Sequence, residues 1–169
     1  MYHIIVALTF ISIALKWGDW RNWELYYPTI AFWIIGDSLY GNLTYNKPLW
    51  LYYSPTINHT LLDLIWRFIV FPCVSVVFLY RFPTSNRRKQ VGHYLLWIAF
   101  FVIIEAVLSW LGYIGYYNCW NIWWSIGFDC LMFPLLKLHY ENPLKAWIAS
   151  IAIGMSIIIV FKIPVLTLR

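Results

Sequence analysis

Four acidic residues stand inside or at the rim of long apolar runs of this sequence: Asp37, Asp63, Glu105 and Asp129. A charge at the centre of a membrane helix costs about 2.5–3.5 kcal/mol on insertion scales, so such residues are usually kept for a function. In hydrocarbon each carboxylate must take up a proton or find a cationic partner. Asp37 and Asp129 fall near the middle of their predicted helices, and Glu105 lies about one turn outward. These three are candidates for a polar site that exchanges protons or binds a small solute or ion. The alternative is a purely structural role, in which each carboxyl group joins two helices by hydrogen bonds worth about 0.6–2 kcal/mol.

A second group of polar residues follows a helical spacing. His59, Asp63 and Arg67 lie four residues apart, on one face of a predicted helix. The spacing predicts an Asp63–Arg67 ion pair with His59 above it, forming a polar outer entrance that binds an anionic group through Arg67. In the alternative interpretation Arg67 extends toward the interface and Asp63 only neutralises it. His59 and Asp63 offer two metal ligands, which do not make a site.

The composition indicates an integral membrane protein. Hydrophobic residues make up 62% of the 169 residues and charged residues 11%, whereas soluble domains have about 25% charged residues. The net charge of +5 does not indicate nucleic-acid binding, because most basic residues lie between apolar runs, where they orient the chain. The lipid bilayer is therefore the expected partner, and no nucleic acid is expected.

Repeated apolar runs of nearly spanning length predict an all-α fold, a polytopic transmembrane helix bundle in one domain, 1–169. The predicted spans cover about residues 2–16, 28–46, 60–80, 91–111, 120–138 and 145–161. Pro72 is predicted to kink the third span. A homodimer, or a complex with a partner membrane protein, is an open alternative to a monomer.

The segment 81–89, between the third and fourth spans, is strongly basic. It contains Arg81, Arg87, Arg88 and Lys89. Because Lys and Arg are enriched in the cytoplasmic loops of membrane proteins, this loop is predicted to lie in the cytoplasm.

Two pairs of short motifs suggest an internal repeat. Residues 33–37 (WIIGD) resemble residues 124–129 (WSIGFD), and residues 45–49 (YNKPL) resemble residues 140–144 (YENPL). Since each half would hold three spans, the halves would have opposite orientations, the 3+3 inverted repeat found in many transporters. Coincidence is the alternative, because Trp, Ile and Gly are frequent in membrane helices.

Other motifs carry little chemistry. Residues 36–39 (GDSL) spell the nucleophile block of a soluble esterase family, but here the block lies inside an apolar helix. Cys73, Cys119 and Cys130 form no C-x-x-C pair, and cysteine in an apolar run behaves as a small hydrophobe. We therefore expect no cofactor, no metal ion and no disulfide.

Three motifs carry a resemblance to a known family. They are residues 17–29 (WGDWRNWELYYPT), residues 36–40 (GDSLY) and residues 58–63 (NHTLLD). In these motifs the chain resembles a family of small, uncharacterised multi-pass membrane proteins of spore-forming Gram-positive bacteria, mainly over residues 17–83. The resemblance implies a bacterial inner-membrane location and implies nothing about mechanism.

These observations lead to one expected function and two alternatives. We expect a non-enzymatic membrane protein that binds or transports a small solute or ion through the three carboxylates, with Arg67 and Asp63 as an outer gate. The first alternative is a non-catalytic scaffold, sensor or accessory subunit whose carboxylates hold helices together. The second is an intramembrane enzyme that acts on lipid at the outer interface through His59 and Asp63.

Overall fold

The computed structural model describes residues 2–165, and the predicted all-α fold is confirmed. Helices form in each of the six predicted segments, with the third segment divided in two. The helices are α1 Tyr2–Trp17, α2 Tyr27–Leu43, α3 His59–Ile65, α4 Phe71–Tyr80, α5 Arg87–Trp110, α6 Ile122–Glu141 and α7 Pro143–Phe161. A 3-10 segment, Trp20–Leu25, links α1 to α2, and a π-helical segment, Trp66–Val70, joins α3 to α4.

Three stretches of helix in the described residues are long and apolar enough to cross a membrane. They are His59–Tyr80, Arg87–Trp110 and Pro143–Phe161. The helix α1 is apolar but has 16 residues, and a perpendicular span needs about 20. These lengths and compositions are consistent with membrane association.

Four asparagines define where helices begin. The side chain of each accepts a hydrogen bond from a backbone amide of the first turn that follows: Asn58 for α3, Asn86 for α5, Asn121 for α6 and Asn142 for α7. Such a cap satisfies amide groups that have no partner within the helix. The cap at Asn86 corrects one prediction, since residues 87–89 belong to the first turn of α5 and not to a loop.

The helix irregularity predicted at Pro72 takes the form of a π-helical turn just before the proline. Pro72 has no amide hydrogen to donate to the preceding turn. In the segment Trp66–Val70 the chain widens, and the Phe71 amide donates to the Trp66 carbonyl five residues back. Turns of this kind are frequent at functional sites, and this one carries Arg67.

The helix α4 forms the centre of the bundle. Eight of its ten residues are buried, and it packs against α1, α2 and α6. An apolar helix without a polar face is stable when other helices or lipid cover it, and α4 is covered by other helices. By contrast, α5 and α7 are mostly exposed. In the most apolar 18-residue stretch of each helix, 11% is buried inside the protein.

A two-stranded sheet closes one end of the bundle. The strands β1, Trp50–Tyr52, and β2, Ile114–Tyr116, pair antiparallel with Leu51 opposite Gly115. The sequence analysis placed both segments in loops, because three residues are too few to show an alternating pattern. The sheet joins the connection between α2 and α3 to the connection between α5 and α6. It follows the last residue of α5, so it lies at the opposite end of that helix from the basic residues 87–89.

Candidate functional site

A cavity of about 420 Å³ lies between α2, α5, α6 and α7 and extends to the sheet. Its volume falls within the range of about 300–1,000 Å³ that is usual for small-molecule sites. Three carboxylates line it, together with mainly aromatic and aliphatic side chains: Asp37, Glu105 and Asp129. We name this space the carboxylate cavity. The structure thus brings together three candidate residues that are far apart in the sequence.

The three carboxylates lie at similar depth. Asp37 is near the end of α2, Glu105 is near the end of α5, and Asp129 is near the start of α6. At 1.5 Å rise per residue, each lies about 8–10 Å from the sheet-side end of its helix. The carboxylates are therefore displaced from the helix centres toward the sheet.

Asp37 is paired with a cation. The Arg67 guanidinium donates from Nε to Asp37 Oδ2 at 2.7 Å, and both side chains are mostly buried. The predicted Asp63–Arg67 ion pair is therefore wrong. Arg67 lies in the π-helical turn that faces α2, and Asp37 has no other cationic partner in residues 2–165, whereas Asp63 has His59.

The Asp63–Arg67 ion pair on which the expected outer gate depends is not among the ion pairs of residues 2–165. Instead, His59 Nδ1 lies 3.3 Å from Asp63 Oδ2 near the start of α3. Neither side chain lines the carboxylate cavity. No group of three His, Cys, Asp or Glu side chains within residues 2–165 could hold a metal ion. The interpretation of Arg67 as an anion-binding group also loses support, because its Nε is occupied by Asp37.

Glu105 is held by the sheet. The Tyr116 hydroxyl, on β2, donates to Glu105 Oε1 at 2.7 Å. Burial raises the pKa of the Tyr116 phenol, and the Glu105 carboxylate raises it further. The phenol therefore remains protonated and remains a donor to Glu105.

Asp129 differs from the other two carboxylates. Its side chain is buried, with 6% of the residue exposed, and Oδ2 has no hydrogen-bond partner among the described residues. Glu105 lines the same cavity. An ionised carboxylate buried in this way is strongly unfavourable unless a proton or a cation compensates it. Asp129 therefore needs a bound proton or a cation.

An aromatic cluster forms the sheet-side wall of the cavity. Trp50 stacks on Tyr40 with ring centroids 3.9 Å apart and contacts Trp120 at 5.0 Å and Phe128 at 6.1 Å. The Tyr40 hydroxyl accepts hydrogen bonds from the Leu49 and Trp50 amides, both at 3.2 Å, and so fixes the stack. We name Tyr40, Trp50, Trp120 and Phe128 the aromatic wall. The sequence did not predict the aromatic wall, because its members do not form a motif along the chain. Aromatic residues make up 21% of the sequence, so these four do not stand out from the others.

The lining of the cavity reaches the outside of the bundle between α2 and α7. The two helices meet at one end, where the Phe32 and Trp147 rings are 4.8 Å apart. At the other end Lys47 Nζ donates to the Phe161 carbonyl at 2.8 Å. Between these contacts lies a row of cavity-lining residues that we name the α2–α7 window: Gly36, Leu39, Ile151, Gly154 and Met155. Leu39, Ile151 and Met155 are exposed, so the window faces outward from the bundle.

The esterase-like spelling of residues 36–39 has no catalytic geometry. The Ser38 hydroxyl donates to the Ile34 carbonyl of its own helix at 2.7 Å. A serine nucleophile of a hydrolase is instead exposed on a sharp turn beside a general base. This agrees with the interpretation of the motif as a chance match.

Comparison of the chain with protein-family models, with curated proteins and with solved structures gives no match. The function is therefore inferred from the geometry of the carboxylate cavity.

Proposed function

We propose that this chain is a membrane protein that binds or transports a small cationic solute or ion in the carboxylate cavity. The observation that carries this proposal is Asp129, whose Oδ2 is buried in a cavity of ligand size and has no partner within residues 2–165. Glu105 adds a second carboxylate to the same cavity, and the neighbouring cation Arg67 is already paired with Asp37. A bound cation supplies the missing positive charge. Intramembrane carboxylates of this kind mark ion and substrate pathways.

The proposal includes a six-span arrangement in a bacterial inner membrane. Three helical stretches are long and apolar enough to cross a bilayer, and α1, α2 and α6 complete the bundle around α4 as shorter or more polar spans. The basic residues around 81–89 lie in the cytoplasm in this arrangement. The sheet and the three carboxylates then lie toward the outer side. The resemblance to small membrane proteins of spore-forming bacteria supports the same location.

The inverted repeat remains a hypothesis. In its favour, the two similar motifs place Asp37 and Asp129 on one cavity. Against it, α1 packs mainly on α4, whereas the corresponding helix of the second half, α5, packs mainly on α6. The two halves therefore differ in helix packing even where their motifs agree.

A second function, a scaffold or accessory subunit, is favoured by two other contacts. The Asp37–Arg67 pair and the Tyr116–Glu105 hydrogen bond tie helices and sheet together, which is the structural role of intramembrane polar groups. This role does not account for Asp129, which joins nothing through Oδ2. The scaffold function therefore explains two of the three carboxylates.

The test uses the purified full chain in liposomes and in detergent. Uptake of protons and of radioactive sodium under an imposed gradient measures transport, and potentiometric titration of the detergent-solubilised protein measures proton binding. We expect the activity to be lost in Asp129→Asn. The matched control is Glu141→Gln, which removes an α6 carboxylate that pairs with Lys137 outside the cavity. Equal uptake and equal proton binding in the wild type and Asp129→Asn would contradict the proposal.

A further inference from the structure

We propose that the ligand of the carboxylate cavity is a hydrophobic organic cation that enters from the bilayer through the α2–α7 window. This inference rests on the proposed binding function and adds to it the chemical class of the ligand and its route. Three features carry it: the unpaired carboxylate, the aromatic wall and the α2–α7 window.

The charge and the lining select an organic cation over a metal ion. Asp129 Oδ2 is buried without a hydrogen-bond partner among the described residues, and Glu105 adds a second carboxylate to the same cavity, so the cavity is complementary to a cation. Hard metal ions such as Ca²⁺ need about six to eight oxygen ligands at short distance. This cavity offers a few oxygens among mainly aromatic and aliphatic side chains, and its volume of about 420 Å³ is far larger than one ion. A cation with an apolar body fits both the charge and the walls.

The aromatic wall supplies the second recognition element. A cation over the face of Trp or Tyr is attracted by the ring quadrupole, most strongly where water is excluded. Tyr40, Trp50 and Trp120 all line the cavity. The Trp120 indole donates Nε1–H to Ser125 Oγ at 2.9 Å, so its polar edge is satisfied. The wall therefore complements the carboxylates.

The α2–α7 window supplies a route for an amphiphilic ligand. A Cβ atom built on Gly36 or on Gly154 would meet no atom within 4 Å. The residues of the window itself are glycines and apolar side chains, of which Leu39, Ile151 and Met155 are exposed. A hydrophobic cation dissolved in the bilayer can therefore pass between apolar side chains into the cavity.

The test compares two probes of the same shape and opposite charge, tetraphenylphosphonium and tetraphenylborate. Binding of each radiolabelled probe to the full-length protein in detergent is measured by equilibrium dialysis, with empty micelles as the blank. We expect saturable binding of tetraphenylphosphonium and none of tetraphenylborate. The Asp129→Asn substitution is expected to weaken binding about 10- to 100-fold, and Trp50→Leu about tenfold. Glu141→Gln, outside the cavity, leaves binding unchanged.

Each outcome is decisive. Equal binding of the two probes means an apolar cavity without charge selection and overturns the inference. If tetraphenylphosphonium does not bind but proton or sodium activity depends on Asp129, the inference is overturned and the proposed function stands. Absence of all these activities overturns both. The comparison of the two probes on the wild-type protein needs no variant, so it remains decisive even where Asp129→Asn fails to fold.

Discussion

Arg67 Nε donates to Asp37 Oδ2 at 2.7 Å, and this contact joins the π-helical turn before α4 to α2. It separates the roles of two carboxylates that look alike in the sequence. Asp37 is neutralised by a cation of the protein, whereas Asp129 lines the same cavity with an oxygen that has no partner among the described residues. In the proposed function Asp37 is thus a structural residue at the edge of the cavity, and Asp129 is the group that binds the ligand.

Removing either member of the Arg67–Asp37 pair is expected to destabilise the protein. Arg67→Leu or Asp37→Leu leaves one buried group without its partner, at a cost of about 1.5–3 kcal/mol in the free energy of unfolding. The double variant is expected to regain most of that loss, because no unpaired charge remains. Thermal and denaturant unfolding in detergent measure the double-mutant cycle. Additive losses in the double variant would show that the two side chains are not coupled.

Asp129→Asn is expected to lose ligand binding without losing stability. The variant keeps the shape of the side chain and removes a carboxylate that lacks compensation, so the free energy of unfolding is expected to be unchanged or higher by up to about 2 kcal/mol. A structural role of Asp129 predicts the opposite, a loss of about 0.6–2 kcal/mol. Thermal unfolding of the purified variant, with Glu141→Gln as control, distinguishes the two.

Closing the α2–α7 window is expected to slow ligand association. Gly154→Leu places an aliphatic side chain in open space at the window, so the fold tolerates it. The association rate of tetraphenylphosphonium is expected to fall about tenfold, as measured by stopped-flow tryptophan fluorescence. The matched control is Gly92→Leu on α5, which also meets open space and lies outside the cavity lining. The same rate in both variants would place the ligand route elsewhere.

Lys47 is expected to hold the end of α7. Its Nζ donates to the Phe161 carbonyl at 2.8 Å and reaches the Lys162 carbonyl at 3.4 Å, where helix carbonyls lack partners. Lys47→Met is expected to cost about 0.3–1 kcal/mol, since a cation at a helix C-terminus is favourable. Hydrogen exchange of the last turn of α7 is expected to speed up. Lys145→Met, at the opposite end of α7, is the control and is expected to leave that exchange unchanged.

The helical segments could be predicted from the sequence, but the start of α5 could not. Apolar runs give the segments because this signal is local along the chain, whereas the predicted span begins at about 91 and α5 begins at Arg87. The pairing of Arg67 could not be predicted in the same way. The spacing of four residues favours Asp63, but the choice of Asp37 depends on how α2 packs beside the π-helical turn.

The sequence by itself determined that the chain is helical and apolar and that it has carboxylates within its apolar runs, since residue type and spacing decide these properties. Only the tertiary structure decided that Asp37, Glu105 and Asp129 share one cavity, that two of them have partners and that Asp129 Oδ2 has none among residues 2–165. It also decided the β1–β2 pairing and the aromatic wall. These features depend on contacts between segments far apart in the chain, and local sequence patterns carry no information about which segments meet.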